Sequence, residues 1–252
     1  MKRIYIAGGG PKNTAVKVLT EHLEELGHYV TRDAQDPNGW DVTFRWGKSY
    51  GYNKPAINAH INSFDKFQAF EQFEEYHVPC PITFRINNWQ LHSMPTKQEP
   101  WLARKRNHIK GKDIVICQNQ RTVIQATETH DFFSVYIPTK TEFRVWVFKD
   151  KAFSVSEKLY KGEGEYTGIM RNRRFGFKFE AQDHQLENDA LCKPAIAAVK
   201  SLNMDFGAVD ILQGKDGKYY VLEVNSMPHI DSTKRVSGIR LAKLISKWAE
   251  KQ

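Results

Sequence analysis

The sequence predicts an α/β (α+β) fold in three parts: a small N-terminal α/β layer, a central subdomain and a C-terminal antiparallel sheet. Three observations carry this prediction. The first 30 residues read as a strand, a glycine turn, a helix and the start of a second strand. Strand candidates joined by short turn sequences follow one another from Phe132 to Ser156, and two apolar strands form a hairpin between Phe206 and Val224. The expected divisions are 1–60, 61–128 and 129–252. Neither an internal repeat nor a disordered linker separates them, so interlocked subdomains are expected.

Arg3 to Ala7 is β-prone and ends in Gly8, Gly9 and Gly10. Val16, Leu19, Leu23 and Leu26 then recur at helical spacing, with Gly27 closing the helix before Tyr29 and Val30. The glycine cluster lacks the spacing of a dinucleotide fingerprint and reads as a tight turn. From Asp65 to Tyr76, Phe67, Phe70 and Phe73 mark a second amphipathic helix, which Val78 to Pro81 stop before a strand from Ile82 to Ile86. Trp101 to Ala103 leads into a basic loop, Arg104 to Lys112, with Ile114 to Ile116 returning. The turns Pro138 to Lys140 and Lys149 to Lys151 suit one antiparallel sheet built from Phe132–Ile137, Glu142–Phe148 and Ala152–Ser156. A helix is expected over Gln185–Ser201, the hairpin turn at Gly214–Gly217, and a final amphipathic helix over Val236–Glu250.

A chain of 252 residues with 40% hydrophobic and 26% charged residues is globular, which excludes fibrous and disordered classes. No run reaches the roughly 20 apolar residues of a membrane span, and the first ten residues lack the apolar core of a signal peptide, so a cytoplasmic location is expected. Cys80, Cys117 and Cys192 are scattered, without a metal-binding or disulfide pattern, and read as buried free thiols. The net charge of +8 draws anionic partners such as nucleotides, nucleic acids or acidic peptides. The basic residues cluster at Arg104–Lys112, Lys149–Lys161 and Arg171–Arg174.

The residues richest in chemistry lie in the hairpin "FGAVDILQGKDGKYYVLEVNSMPHI". A two-residue step along a strand places Glu223 and Asn225 on one face, and the partner strand can bring Asp210 alongside. Three converging oxygen donors suit one or two magnesium ions bridged to phosphates. The acids could also be solvated edge positions. However, they interrupt apolar runs such as Ala208, Val209, Ile211 and Leu212, where an unpartnered carboxylate is costly, and metal binding is the favoured reading.

These motifs resemble the C-terminal signature of ATP-grasp enzymes such as glutathione synthetase and the glutamate-adding ligases, and further matches run in family order from about residue 58 to residue 230. The resemblance implies Mg2+ held by Asp210, Glu223 and Asn225, with ATP between the central and C-terminal subdomains. "NSFDKF" places Lys66 at the phosphates; from the residues alone Lys66 reads as a solvated helix position. "WLARKRNHIKGKDIVI" resembles the lid loop. Aligning Gly111 with its glycine puts Arg104 where the family usually has lysine, a swap that guanidinium chemistry tolerates, while Asp113 replaces a second glycine. "FSVYIPTKTEFRVWVF" implies the backbone of Val135, Tyr136 and Ile137 at the purine and Glu142 at the ribose. Lys158 aligns with a phosphate-contacting lysine, and "MRNRRFGF" implies Arg171, with Asn172, at the acyl phosphate. Arg173 and Arg174 read as a solvated or nucleic-acid-facing run.

The activity so implied is carbon–nitrogen ligation, in which a carboxylate such as an amino acid is activated as an acyl phosphate and attacked by an amine on a small molecule, peptide, nucleotide or nucleic acid. An ATP-grasp phosphotransferase and a basic nucleic-acid-binding module are the alternatives. His92, His108 and His130 read as structural or solvated, and His229 as a substrate contact to test. Arg45, Trp46, Lys48 and Tyr50 interleave bases with aromatics, which suits an acceptor, although packing is the first reading for Trp46. Short proteins of this kind also resemble phage-encoded ones, which would place the activity in a host cytoplasm.

Overall fold

The computed structural model describes residues 1–10, 13–36, 39–47, 54–59, 64–106, 114–163, 166, 168, 169, 171, 173–230 and 236–252. Strand β1 (Arg3–Gly8), helix α1 (Thr14–Glu25), β2 (Tyr29–Thr31), β3 (Val42–Trp46) and β4 (Ala56–Ile57) form the first layer. Its four strands are parallel, in the order β2-β1-β3-β4. Asn13 caps α1 by accepting from the Ala15 and Val16 N–H groups, and Gly27 at φ +83° reverses the chain after it. Leu26 is half-exposed at the helix end, outside the buried stripe of Val16, Leu19 and Leu23.

The middle subdomain holds α2 (Lys66–Glu75), β5 (Thr83–Arg85), β6 (Trp101–Arg104), β7 (Val115–Cys117), α3 (Gln120–Thr127) and β8 (Phe132–Val135). Its antiparallel sheet runs β5-β8-β6-β7. This corrects the sequence-based assignment of Phe132–Ile137 to the following sheet. β8 pairs with β5 and β6, because Phe132 and Phe133 must be buried against α2 and α3 respectively. Both Asp65 and Asn119 form capping boxes that start their helices.

The third subdomain comprises β9 (Thr139–Phe148), β10 (Lys151–Tyr160), β11 (Phe177–Ala181), α4 (Asp189–Ser201), β12 (Phe206–Gly214), β13 (Tyr219–Asn225) and α5 (Val236–Ala249). Its antiparallel sheet has the order β11-β10-β9-β12-β13. Helix α4 starts at Asp189 and not at Gln185, because residues 183–187 form a separate 3₁₀ turn and Asn188 adopts extended backbone between the two.

Alternation along β9 and β12 divides this sheet by face. Phe143, Val145, Val147, Val209 and Ile211 join the core beneath α4, whereas Trp146, Phe148, Phe206 and Ala208 join the core of the first layer, together with α1 and α5. The two layers are locked at Asn58. Its side-chain oxygen accepts from the Asp205 and Phe206 N–H groups at 2.8 Å each, its amide donates to the Phe206 carbonyl at 3.0 Å, and its own N–H donates to Asp205 at 2.8 Å.

Candidate functional site

Beyond Trp146 and Ala208, the same face of the C-terminal sheet turns from apolar to charged. Arg144 on β9 lies opposite Asp210 on β12, which lies opposite Glu223 on β13. The last alignment requires a bulge. Val221 pairs with Ile211 and Glu223 with Asp210, so Leu222 is the extra residue. Regular alternation would turn Glu223 toward α4 beside Val221; the bulge turns it into the cleft. Glu223 and Asn225 then share one face, and the Asn225 amide donates to Glu223 Oε1 at 2.9 Å.

Each acid is matched to a cation. The Arg144 guanidinium grips Asp210 with both prongs, at 2.7 and 2.8 Å, and lies 4.4 Å from the Phe179 ring centroid. Burial lowers the Arg144 pKa, but Asp210 together with Glu223 and Glu142 outweighs it and the net shift is upward. Lys66, the first residue of α2, reaches across to Glu223 Oε2 at 3.0 Å. Burial pushes the Glu223 carboxyl up, yet Lys66, the Asn225 amide and Arg144 prevail and hold it at about 2. Glu142 and Lys158 form a third pair.

Arg104 is packed between the rings of Phe70 and Phe132, 5.8 Å from each centroid, with its Nε buried and without a hydrogen-bond partner. Burial lowers its pKa while the Glu223 charge opposes that shift. It thus shares the electrostatic neighbourhood of Lys66. Arg106 steadies this corner, its backbone N–H on Asp131 and its guanidinium on Asp65, the cap of α2.

In the segment expected at the purine, the Val135 and Tyr136 N–H groups donate to Ile82 O and Pro100 O. Two of the three backbone N–H groups in the segment are thus already committed within the fold. A cavity of about 260 Å³ opens beside the segment, lined by Tyr136, Ile137, Pro138, Lys215, Asp216 and Tyr220. Asp216 accepts from the Tyr220 hydroxyl at 2.7 Å and raises that pKa to about 12.

The structure therefore brings Lys66, Arg104, Asp210, Glu223 and Asn225 into one cleft, and it joins Glu142 to Lys158 directly. Arg171 lies elsewhere: it donates to the Thr139 and Lys140 carbonyls at 3.1 Å each and covers the Phe177 ring. Asn172, Gly111, Asp113, Lys48 and Tyr50 lie outside the described residues. His229 is exposed. Trp46 is fully buried against Phe44 and Phe206, and Arg45 is buried with its guanidinium on the Asn58 and Ala59 carbonyls. The Gly8, Gly9 and Gly10 carbonyls all face the Arg32 guanidinium, which agrees with a plain turn and opposes a phosphate cradle. Sequence reasoning missed Arg144. Its position two residues after Glu142 on one strand, and so on one face, was the available signal.

Superposition on solved structures defines the class of the fold. The chain matches an ATP-grasp ligase, PsnB, complexed with minimal precursor, Mg and ADP over 98% of its own length and 97% of that chain, at 12% identity and a TM-score of 0.67. It matches N5-carboxyaminoimidazole synthetase from Staphylococcus aureus complexed with ADP over 96% and 76%, at 13% identity and a TM-score of 0.68. This is the ATP-grasp fold. Residues 90–249 match the RimK-like ATP-grasp domain, and the chain belongs to that family. Among curated relatives, a probable alpha-L-glutamate ligase of Haemophilus influenzae is 21% identical over 206 residues, 77% of this chain and 66% of its own length. One of Histophilus somni is 24% identical over 165 residues, 62% of this chain. The chain spans 66% and 52% of the lengths of these two relatives.

Proposed function

We propose that the protein is an ADP-forming ligase that makes a carbon–nitrogen bond by way of an acyl phosphate. The observation that supports this most strongly is the row Arg144, Asp210, Glu223 across one sheet face, with Lys66 and Arg104 brought to it from the middle subdomain: two acids among three cations. Two carboxylates and the side-chain carbonyl oxygen of Asn225 are hard donors that would suit Mg2+, with phosphate and water to fill the rest of its shell. Among the described residues no group of three His, Cys, Asp or Glu side chains could hold an ion; the proposed set is two acids and an asparagine. When bound, the ion neutralises phosphate charge in the transfer step.

In this reading Lys66, Arg104 and Lys158 bind phosphates, the Ile137 N–H meets the purine, and Glu142 takes the ribose after parting from Lys158. Arg171 with Asn172 stabilises the acyl phosphate, which requires Arg171 to leave the carbonyls of β9. The γ-phosphoryl passes to a carboxylate oxygen, ADP leaves, an amine attacks the acyl carbon, and phosphate departs. The chain's own contribution is alignment and charge neutralisation. The glutamate-ligase relatives favour an amino acid as one substrate, and the peptide-bound PsnB structures favour an amine or side chain carried on a peptide as the partner. We assign nucleotide binding to the junction between residues 61–128 and residues 129–252, and acceptor binding to the N-terminal layer, residues 1–60. None of the described helices is long and apolar enough to cross a membrane.

ADP release with Mg-ATP, screened across amino acids and amine acceptors including peptides and nucleotides, tests this. The expected result is release that depends on both an acid and an amine and is lost in Glu223→Ala. ADP formed without an amine-dependent product would support a phosphotransferase. No ATP binding, with salt-sensitive nucleic-acid binding indifferent to Asp210→Ala, would replace the reading with a basic binding module.

A further inference from the structure

The two acids of the cleft are held by cations of different kinds. Arg144 and Asp210 sit on neighbouring strands of one sheet, joined by two hydrogen bonds and roofed by Phe179. Moving Arg144 away would break both bonds and uncover a buried guanidinium. Glu223 is held by Lys66, which comes from α2 and not from the sheet, makes one contact at 3.0 Å, and leaves its side chain about a quarter exposed. A lysine ammonium is a hydrated point charge on a four-carbon stem and changes partner easily, whereas the planar arginine fork is pre-organised for one carboxylate.

We propose that Lys66 is an exchangeable counter-ion: it occupies Glu223 Oε2 in the nucleotide-free protein and passes to the nucleotide's phosphates when these arrive, so that a divalent ion enters with the nucleotide and not alone. The inference rests on the ligase reading above and adds an order of loading to it. A divalent ion at Glu223 would share the carboxylate with an ammonium that sits 3.0 Å from Oε2, and the repulsion between the two cations disfavours the free ion. The phosphates remove the conflict by offering Lys66 a new anionic partner. Arg144 need not move, because each Asp210 oxygen keeps a second lone pair for a metal.

The test measures Mn2+ binding without nucleotide, by loss of the free-ion spin signal, and Mg-ATP binding by calorimetry, for the wild-type chain, Lys66→Met, Lys66→Gln and Lys66→Arg. Thermal melting checks the fold of each. Removing the ammonium is expected to tighten Mn2+ binding about tenfold and to weaken Mg-ATP binding by a similar factor, a coupling of ordinary size. Lys66→Arg is expected to keep Mn2+ binding weak. Equal Mn2+ affinity in the wild type and in both neutral variants overturns the counter-ion role, and unchanged Mg-ATP affinity in those variants overturns the transfer. Absence of Mg-ATP binding in every form, wild type included, would overturn the ligase reading itself and this inference with it; the other two failures leave that reading standing.

Discussion

Strand β12 is used in opposite ways along its length. At Phe206 it is clamped: Asn58 satisfies four backbone or side-chain groups there, and Phe44, Trp46 and Trp146 surround the Phe206 ring. Four residues on, at Asp210, the same face carries ion pairs, and the neighbouring acid Glu223 is held partly by a lysine from another layer. A closely packed apolar junction with its backbone hydrogen-bonded has one low-energy arrangement, since any displacement opens a cavity or orphans a buried donor. Ion pairs at a half-open cleft can exchange partners at small cost. The molecule thus fixes its layers at one end of the strand and keeps adjustable charge at the other.

The largest effect that would sharpen this contrast is expected at Arg144, a cleft cation that belongs with the rigid class. Arg144→Met leaves Asp210 buried without a partner and should lower stability by about 3–5 kcal/mol in denaturant unfolding. A loss no greater than that of Lys66→Met would show that the distinction between the two cations is unfounded. Phe206→Ala should cost about 3–4 kcal/mol through its cavity, while the ratio of Mg-ATP affinities between variant and wild type stays near one. A large drop in nucleotide affinity would mean that junction and cleft are coupled.

Asn58→Gly should cost about 1–3 kcal/mol by stranding the Asp205 and Phe206 N–H groups. Glycine is the right probe because Asn58 has φ +59°, so the backbone stays relaxed and the measured loss reports the hydrogen bonds. The smallest expected effect is a pH dependence at the outer edge of the junction. His28 Nδ1 accepts from the Lys2 N–H at 3.3 Å, so Nε2 donates to Ser246 Oγ at 2.8 Å. Burial lowers its pKa below 6.5, with the N-terminal amine assisting and Glu250 opposing. The unfolded chain therefore binds the proton first, and the stability from neutral His28 is complete above 6.5 and lost as pH falls through the lower folded value. Unfolding curves from about pH 7.5 to pH 5 should show this slope, and His28→Gln should flatten it; an unchanged slope would remove His28 from the account.

Much of this architecture is legible in the sequence. The phenylalanines at 67, 70 and 73 do form the buried stripe of α2, and the strands from Phe206 to Gly214 and Tyr219 to Asn225 do pair as a hairpin. Local periodicity is what sequence records well. Pairing between distant segments is less legible. Phe132–Val135 carries the same β-prone signal whichever sheet receives it, and only the fit of two phenylalanines between α2 and α3 decides for the middle sheet. Arg144 escapes a sequence reading for a similar reason, because its meaning lies in Asp210, 66 residues later.

What the sequence by itself determined is the set of chemical groups and their local parity: two acids and an asparagine in apolar strands, Glu223 and Asn225 on one face, and an excess of cations to meet anions. Only the tertiary structure decided that these groups meet. By strand alternation alone Glu223 would follow Val221 into the core under α4, and one extra residue, Leu222, turns it instead toward Asp210. A bulge is stabilised by both strands and by the faces they pack against, a cooperative property of the sheet that no single segment encodes.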